Sequence, residues 1–134
     1  MRIVKATIEI ASDGGYGVYC VNAPFSGMGA TVEEAKQDML NGIEVYKETC
    51  KEDGYSYPAW LDKPYQFVYQ FDAQSLLRYY AGIITPAALG RISGINPKQL
   101  WSYMHGKSKP REAQIRKIET ALHTLGRELS AISL

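Results

Sequence analysis

The chain has 134 residues, 46% of them apolar and 22% charged, and a formal net charge of +1. That balance belongs to a globular protein able to bury a core, which excludes a disordered tail, and the length allows one ordinary domain or two very small ones. Apolar runs of only a few residues exclude a membrane-spanning helix, and Met1 to Ala11 alternates instead of forming a signal-peptide core, so a soluble cytoplasmic protein is expected.

Ile3 to Ile10 places Val4, Ala6, Ile8 and Ile10 on one strand face, and Asp13-Gly14-Gly15 supplies the turn residues of a hairpin. A second strand runs from Tyr16 to Val21, and a short third element spans Gly27 to Ala30. Thr31 and Glu34 have the spacing of a capping box, in which the hydroxyl accepts from a free backbone N–H and the carboxylate reaches back. Behind them Val32, Ala35, Met39, Ile43, Tyr46 and Cys50 recur at helical spacing, giving one apolar stripe to lay against a sheet and a stop near Asp53-Gly54. Tyr55 to Pro64 holds two prolines and no period, so a loop is expected whose aromatics either fold back onto the domain, the preferred reading, or meet a partner. Tyr65 to Phe71 alternates again, with Tyr65, Phe67, Tyr69 and Phe71 on one face.

From Ala73 onward the period is helical. Asp72 can cap a first helix with Leu76, Leu77 and Tyr80, ended by Gly82. Thr85-Pro86 opens a second helix carrying Leu89 and Ile92 inward to Gly94, and Asn96-Pro97 opens a third that runs to His105-Gly106. Pro110 opens a fourth, with Ile115, Ile118, Leu122 and Leu125 on one stripe. The expected fold class is therefore α+β: a β-β-β-α-β domain over residues 1 to 72, followed over 73 to 134 by an all-α domain of four to five helices.

Split at Asp72, the small net charge resolves into two opposite ones. Residues 1 to 72 hold 6 Lys/Arg against 11 Asp/Glu, a net of −5, while residues 73 to 134 hold 9 against 3, a net of +6. Such asymmetry suits a C-terminal half that meets a polyanion and an N-terminal half that meets a basic partner. Cys20 and Cys50 lack metal-ligand spacing and read as buried structural thiols.

Two short helices joined through Gly94, the second exposing polar side chains, are the parts needed to place one helix in a major groove while the other braces it. The stretch Thr85 to Lys107 resembles the Cro and phage-repressor (Xre-like) helix-turn-helix family, with Leu89, Gly94, Ile95, Leu100, Gly106 and Lys107 where that family places core, turn and post-helix residues. Leu100 and Tyr103 point inward, which leaves Pro97, Lys98, Trp101, Ser102 and His105 outward. The resemblance implies that Pro97, Lys98 and Ser102 occupy base-reading positions and that Asn96, the helix cap, touches backbone or base. Pro97 is a departure from the family: it has no side-chain hydrogen bond to offer, so reading there is either apolar, as against a thymine methyl, or absent. Pro86 likewise leaves Thr85 as the phosphate contact of the second helix, and Lys107, Lys109 and Arg111 are the remaining phosphate-contact candidates. Trp101 is left without a role, since stacking on sugar, supporting a dimer and lying on a neighbouring helix all remain open. His105 reads as a polar helix end, because the only other histidine, His123, lies far along the fourth helix.

In the N-terminal half, Tyr16-Gly17-Val18-Tyr19 and Gly27-Met28-Gly29-Ala30-Thr31-Val32-Glu33-Glu34-Ala35 in a β-β-β-α-β order resemble the HicB antitoxin family over residues 1 to 72. The resemblance implies a degenerate RNase H-like domain that neutralises a small basic RNase, HicA, while the helix-turn-helix binds double-stranded DNA and represses the protein's own operon as a homodimer or tetramer. The family's usual small-residue turn before the helix appears here as Ser26-Gly27-Met28-Gly29, and the Tyr55 to Pro64 loop is atypical. An active RNase H needs carboxylates converging on two metal ions, whereas Glu9, Asp13, Glu33, Glu34, Asp38, Glu44, Glu48 and Glu52 read as a solvated acidic face suited to a basic toxin. No enzymatic activity, metal or cofactor is expected. The alternative expectation is a DNA-binding repressor whose N-terminal domain dimerises or senses a small ligand.

Overall fold

The alternating and helical periods become ten short elements in the computed structural model, which describes residues 1–134. The chain is mixed α+β and divides into two compact units, Met1–Asp72 and Ala73–Leu134. No helix is long and apolar enough to cross a membrane.

In the first unit, β1 (Arg2–Ile10), β2 (Tyr16–Cys20), β3 (Ser26–Gly29) and β4 (Tyr65–Phe71) form one sheet in the order β3-β2-β1-β4. β1 pairs antiparallel with β2, β2 antiparallel with β3, and β4 parallel with β1. The parallel pair requires a crossover, which α1 (Val32–Asp53) supplies. The residues Val4, Ala6 and Ile8 of β1 and Val18 and Cys20 of β2 share one buried face because strand side chains alternate. Against them pack Val32, Ala35, Met39 and Ile43 of α1, of which the last three are wholly buried.

Close approach of helix to sheet explains the glycines of β3. A Cβ on Gly27 would collide with the Ala35 carbonyl and the Met39 amide, and one on Gly29 would sit 2.7 Å from the Ala35 nitrogen. The start of α1 is held by the Thr31 hydroxyl, which accepts from the Glu34 N–H at 3.1 Å. The Glu34 carboxylate reaches back one residue further than in the usual capping box, to the Ala30 N–H at 2.9 Å. Tyr46, expected on the inner stripe, stands 37% exposed and meets Phe25 edge-on, whereas Cys50 one turn further along is buried.

The Tyr55 to Pro64 segment is more ordered than a plain loop. A single 3₁₀ turn at Ala59–Asp62 drives Leu61 into the core and sets Trp60 edge-on to Tyr65 at 5.3 Å, while Tyr55 stays exposed. Lys47 of α1 secures the turn by donating to the Leu61 carbonyl at 3.2 Å and pairing with Asp62 at 3.0 Å.

The second unit contains α2 (Ala73–Tyr79), α3 (Pro86–Ser93), α4 (Pro97–Met104) and α5 (Glu112–Ser130). Its core is Leu77, Leu89, Ile95, Leu100, Tyr103, Ile118 and Ala121. Three sequence expectations need correction. The first helix ends at Tyr79, three residues before Gly82, and α5 starts at Glu112, beyond Pro110. Ile92 and Ile115 are 46% and 44% exposed instead of inward. The buried stripes are narrow: Leu89 and Ile95 supply the core at α3, and on α5 the buried positions are Ile118 and Ala121, with Ile115 at the edge of that stripe on the side away from Ala121.

Candidate nucleic-acid interface

The outer face of α4 and the loop that follows it gather most of the candidate residues. α3 begins at Thr85, whose hydroxyl accepts from the Ala88 N–H at 3.0 Å, with Pro86 in the first turn where no N–H is needed. It ends at Gly94, whose left-handed backbone (φ 77°) lets its N–H return to the Gly90 carbonyl. The chain then enters α4 so closely that a Cβ on Gly90 would lie 2.9 Å from both the Ile95 carbonyl and the Pro97 ring. Gly90 therefore sets the approach of the two helices.

On α4, Leu100 and Tyr103 are buried, and Pro97, Lys98, Trp101 and His105 are exposed as their spacing requires. Asn96 is committed to capping: its side-chain oxygen accepts from the Lys98 N–H at 2.9 Å. Lys98 projects freely, with neither hydrogen bond nor ion pair on its ammonium. Ser102 is half-buried and joins Ser108 at 2.8 Å, while Gln99 donates to the same Ser108 hydroxyl at 3.2 Å. Asn96 and Ser102 thus hold the helix and its loop in shape, and Lys98 is the base-reading candidate with an unengaged polar group.

Trp101 acquires definite neighbours. His105 stacks on its ring at 4.0 Å between centroids and 24° between planes, its Nδ1 2.9 Å from the Trp101 carbonyl, and the Lys107 ammonium lies 4.9 Å over the ring. Sequence reasoning gave Trp101 no partner because the turn at Gly106 (φ 71°), which folds Lys107 back along α4, has no periodic signature. It also missed Gln99 and Ser108, whose meeting depends on the same reversal. Lys109 and Arg111 are exposed on the loop and at the start of α5. None of Lys98, Lys107, Lys109 and Arg111 is neutralised by a carboxylate, and the nearby Glu112 pairs with Arg116. Unpaired cations on one stretch of surface are free to meet phosphates.

The first unit offers a different surface. Seven of its acidic residues lie on α1, and no group of three or more His, Cys, Asp or Glu side chains is placed to hold a metal ion. Asp62 is held below the ordinary carboxyl range, first by the Tyr57 hydroxyl and then by Lys47, and Lys47 is raised by its bond to Asp62. Burial pushes up the phenols of Tyr65 and Tyr69 and the thiol of Cys20. Cys20 and Cys50 are both free and buried. Comparison of the chain with family models, with curated proteins and with solved structures finds no match.

Proposed function

We propose that this chain is a HicB-like antitoxin, in which residues 73–134 bind an operator as a helix-turn-helix and residues 1–72 bind a small basic RNase. The observation that carries the reading is the outer face of α4, where Lys98 stands unengaged and Lys107, Lys109 and Arg111 follow without carboxylate partners. α3 braces α4 through the close Gly90 contact, so α4 is presented as a rigid unit of the size that a major groove admits. In the first unit, the order β3-β2-β1-β4 with β4 parallel to β1 and the helix as crossover supports a degenerate RNase H-like domain. Its acidic α1 supports a basic protein partner.

Two experiments separate the halves of the proposal. Selection of duplexes from a randomised library by the full chain is expected to enrich one sequence, and recovery of unenriched DNA removes the operator-binding part. Co-expression with a small basic HicA-like RNase is expected to restore growth and yield a complex. Absence of both removes the antitoxin part and leaves DNA binding standing.

A further inference from the structure

The two edges of the first unit's sheet are finished differently. β3 is only four residues long, and its Met28 N–H, which points away from β2, donates to the Asp38 carboxylate of α1 at 2.8 Å. β4 is seven residues long and lies at the other edge, with β1 as its one neighbour. Edge strands are commonly kept from further pairing by a charge, a proline or a bulge. Tyr65 to Phe71 holds no charge and no proline, and its register runs from Tyr65 beside Arg2 to Phe71 beside Ile8 without a slip.

The ladder fixes which backbone groups of β4 face outward. The Lys5 carbonyl of β1 accepts from the Val21 N–H at 3.0 Å, so odd-numbered residues of β1 turn their backbone groups toward β2 and even-numbered ones toward β4. Val4 and Ala6, which stand beside Phe67 and Tyr69, then bond to Gln66, Val68 and Gln70 in the parallel ladder. The N–H and C=O of Tyr65, Phe67 and Tyr69 are left pointing away from the sheet, ~6.6 Å apart along the strand. The same three residues carry their rings on the α1 side, with successive centroids 5.6 and 5.9 Å apart. These rings are half-buried where Ala6 and Ile8 next to them are almost wholly buried, because α1 approaches β3 and β2 more closely than β4.

We infer that the outer edge of β4 accepts an extended segment of a basic protein partner as a fifth strand, apolar where it passes the Phe67 ring and cationic at both ends of the ring row. Backbone groups supply the pairing, and carboxylates of α1 supply the charge. At the Tyr69 end stands Glu33, paired at 3.6 Å only with Lys36, and that lysine lies 4.4 Å over the Tyr69 ring. At the other end stands Glu44, which after burial does most to raise the Tyr65 phenol. Its one ion pair, to Lys47, is 3.9 Å long, and Lys47 is already held by Asp62 and the Leu61 carbonyl. Exposed pairs of this kind add little, so both carboxylates are open to an arriving cation. A second copy of the chain is the poorer occupant. Pairing two β4 edges antiparallel about Phe67 sets Tyr65 of one copy beside Tyr69 of the other, which brings Glu44 against Glu33 and Lys47 against Lys36. That the partner is a basic RNase rests on the antitoxin reading; the open edge does not.

The probe is a random peptide library displayed on phage and selected on the full chain, without DNA or RNase. Enriched peptides are expected to alternate apolar residues with Lys or Arg. A synthetic copy of one should shift the backbone amide signals of Tyr65, Phe67 and Tyr69 more than those of Gln66, Val68 and Gln70 in NMR spectra of the wild type. Phe67→Ala and Phe67→Pro lose the same ring, but only proline removes the outward N–H, and it leaves the ladder to β1 intact. Phe67→Pro should therefore bind the peptide about tenfold more weakly than Phe67→Ala, with similar melting temperatures; if Phe67→Pro melts far lower, the wild-type amide shifts decide. Glu33→Gln combined with Glu44→Gln should weaken binding about threefold or more. Failure to enrich any peptide, enrichment of peptides without basic residues, amide shifts confined to other elements, or equal binding by the two Phe67 variants each overturns the inference. So does a wild type that dimerises with concentration and loses this in Phe67→Pro, which gives the edge to a second copy. Peptide binding by a chain that captures no RNase upholds the edge and sinks only the antitoxin reading.

Discussion

Lys98 and Lys109 carry the same charge but stand in different settings, and the proposed interface asks different things of them. Lys98 lies exposed on the outer face of α4, whereas Lys109 lies exposed on the loop beyond it. Lys98→Ala is expected to weaken binding to the selected duplex by roughly 1–3 kcal/mol and to leave binding to unrelated duplexes nearly unchanged. Lys109→Ala should weaken both alike and reduce the salt slope by about one, as measured by fluorescence anisotropy across a salt series. Equal losses on every sequence for Lys98→Ala would sink the base-reading role. Trp101 supports Lys107 from beneath. Trp101→Ala and Lys107→Ala are therefore expected to be non-additive, the double variant binding DNA no worse than the weaker single one; additive losses would mean that Trp101 acts by itself. Lys98 was legible from the period of Leu100 and Tyr103. The commitment of Asn96 to its own helix and of Ser102 to Ser108 was not, because a side chain's choice between partner and solvent depends on where the loop returns.

Helices and strands in this chain are limited by how closely they approach one another, and glycines mark the places. Gly90→Ala puts a methyl 2.9 Å from the Ile95 carbonyl and the Pro97 ring, so a loss of about 1–3 kcal/mol is expected in chemical denaturation, together with weaker DNA binding as α4 is pushed away from α3. Gly42 is the contrast: it lies on the exposed side of α1, a methyl there would have nothing within 4 Å, and Gly42→Ala should stabilise by about 0.5–1 kcal/mol. A stabilised Gly90→Ala or a destabilised Gly42→Ala would contradict these roles. The 3₁₀ turn is tied to α1 by Tyr57, Asp62 and Lys47, which gives a pH window. The lowered carboxyl of Asp62 adds stability that is complete above the ordinary carboxyl value, about 4, and is lost as pH falls through its folded value. The raised ammonium of Lys47 adds stability that is complete below the ordinary lysine value, about 10.5, and is lost as pH rises through its folded value. The melting-temperature gap between wild type and Asp62→Asn is thus expected to be flat from about pH 4 to about pH 10 and to shrink on both sides. A gap that grows in acid would reject the arrangement.

At the scale of the whole chain, opposite charges are carried by two separate compact units, and the boundary falls at the residue where the charge balance reverses. The element types and their order follow from the sequence by itself, because a period of two or of 3.6, a capping pair such as Thr31 and Glu34, and a proline at a helix start act within a few residues. The inner faces of β1, β4 and α1 follow for the same reason, since alternation and helical spacing name the buried side without knowledge of the partner. Tertiary structure alone decided that Ile92 and Ile115 face water, that Leu61 completes the core from a loop with no period, and that β4 lies parallel beside β1. It also decided the open edge at β4 and the stack of His105, Trp101 and Lys107. Each of these depends on segments distant in sequence, or joined by a reversal, competing for the same space, and no local pattern records which of them fills it.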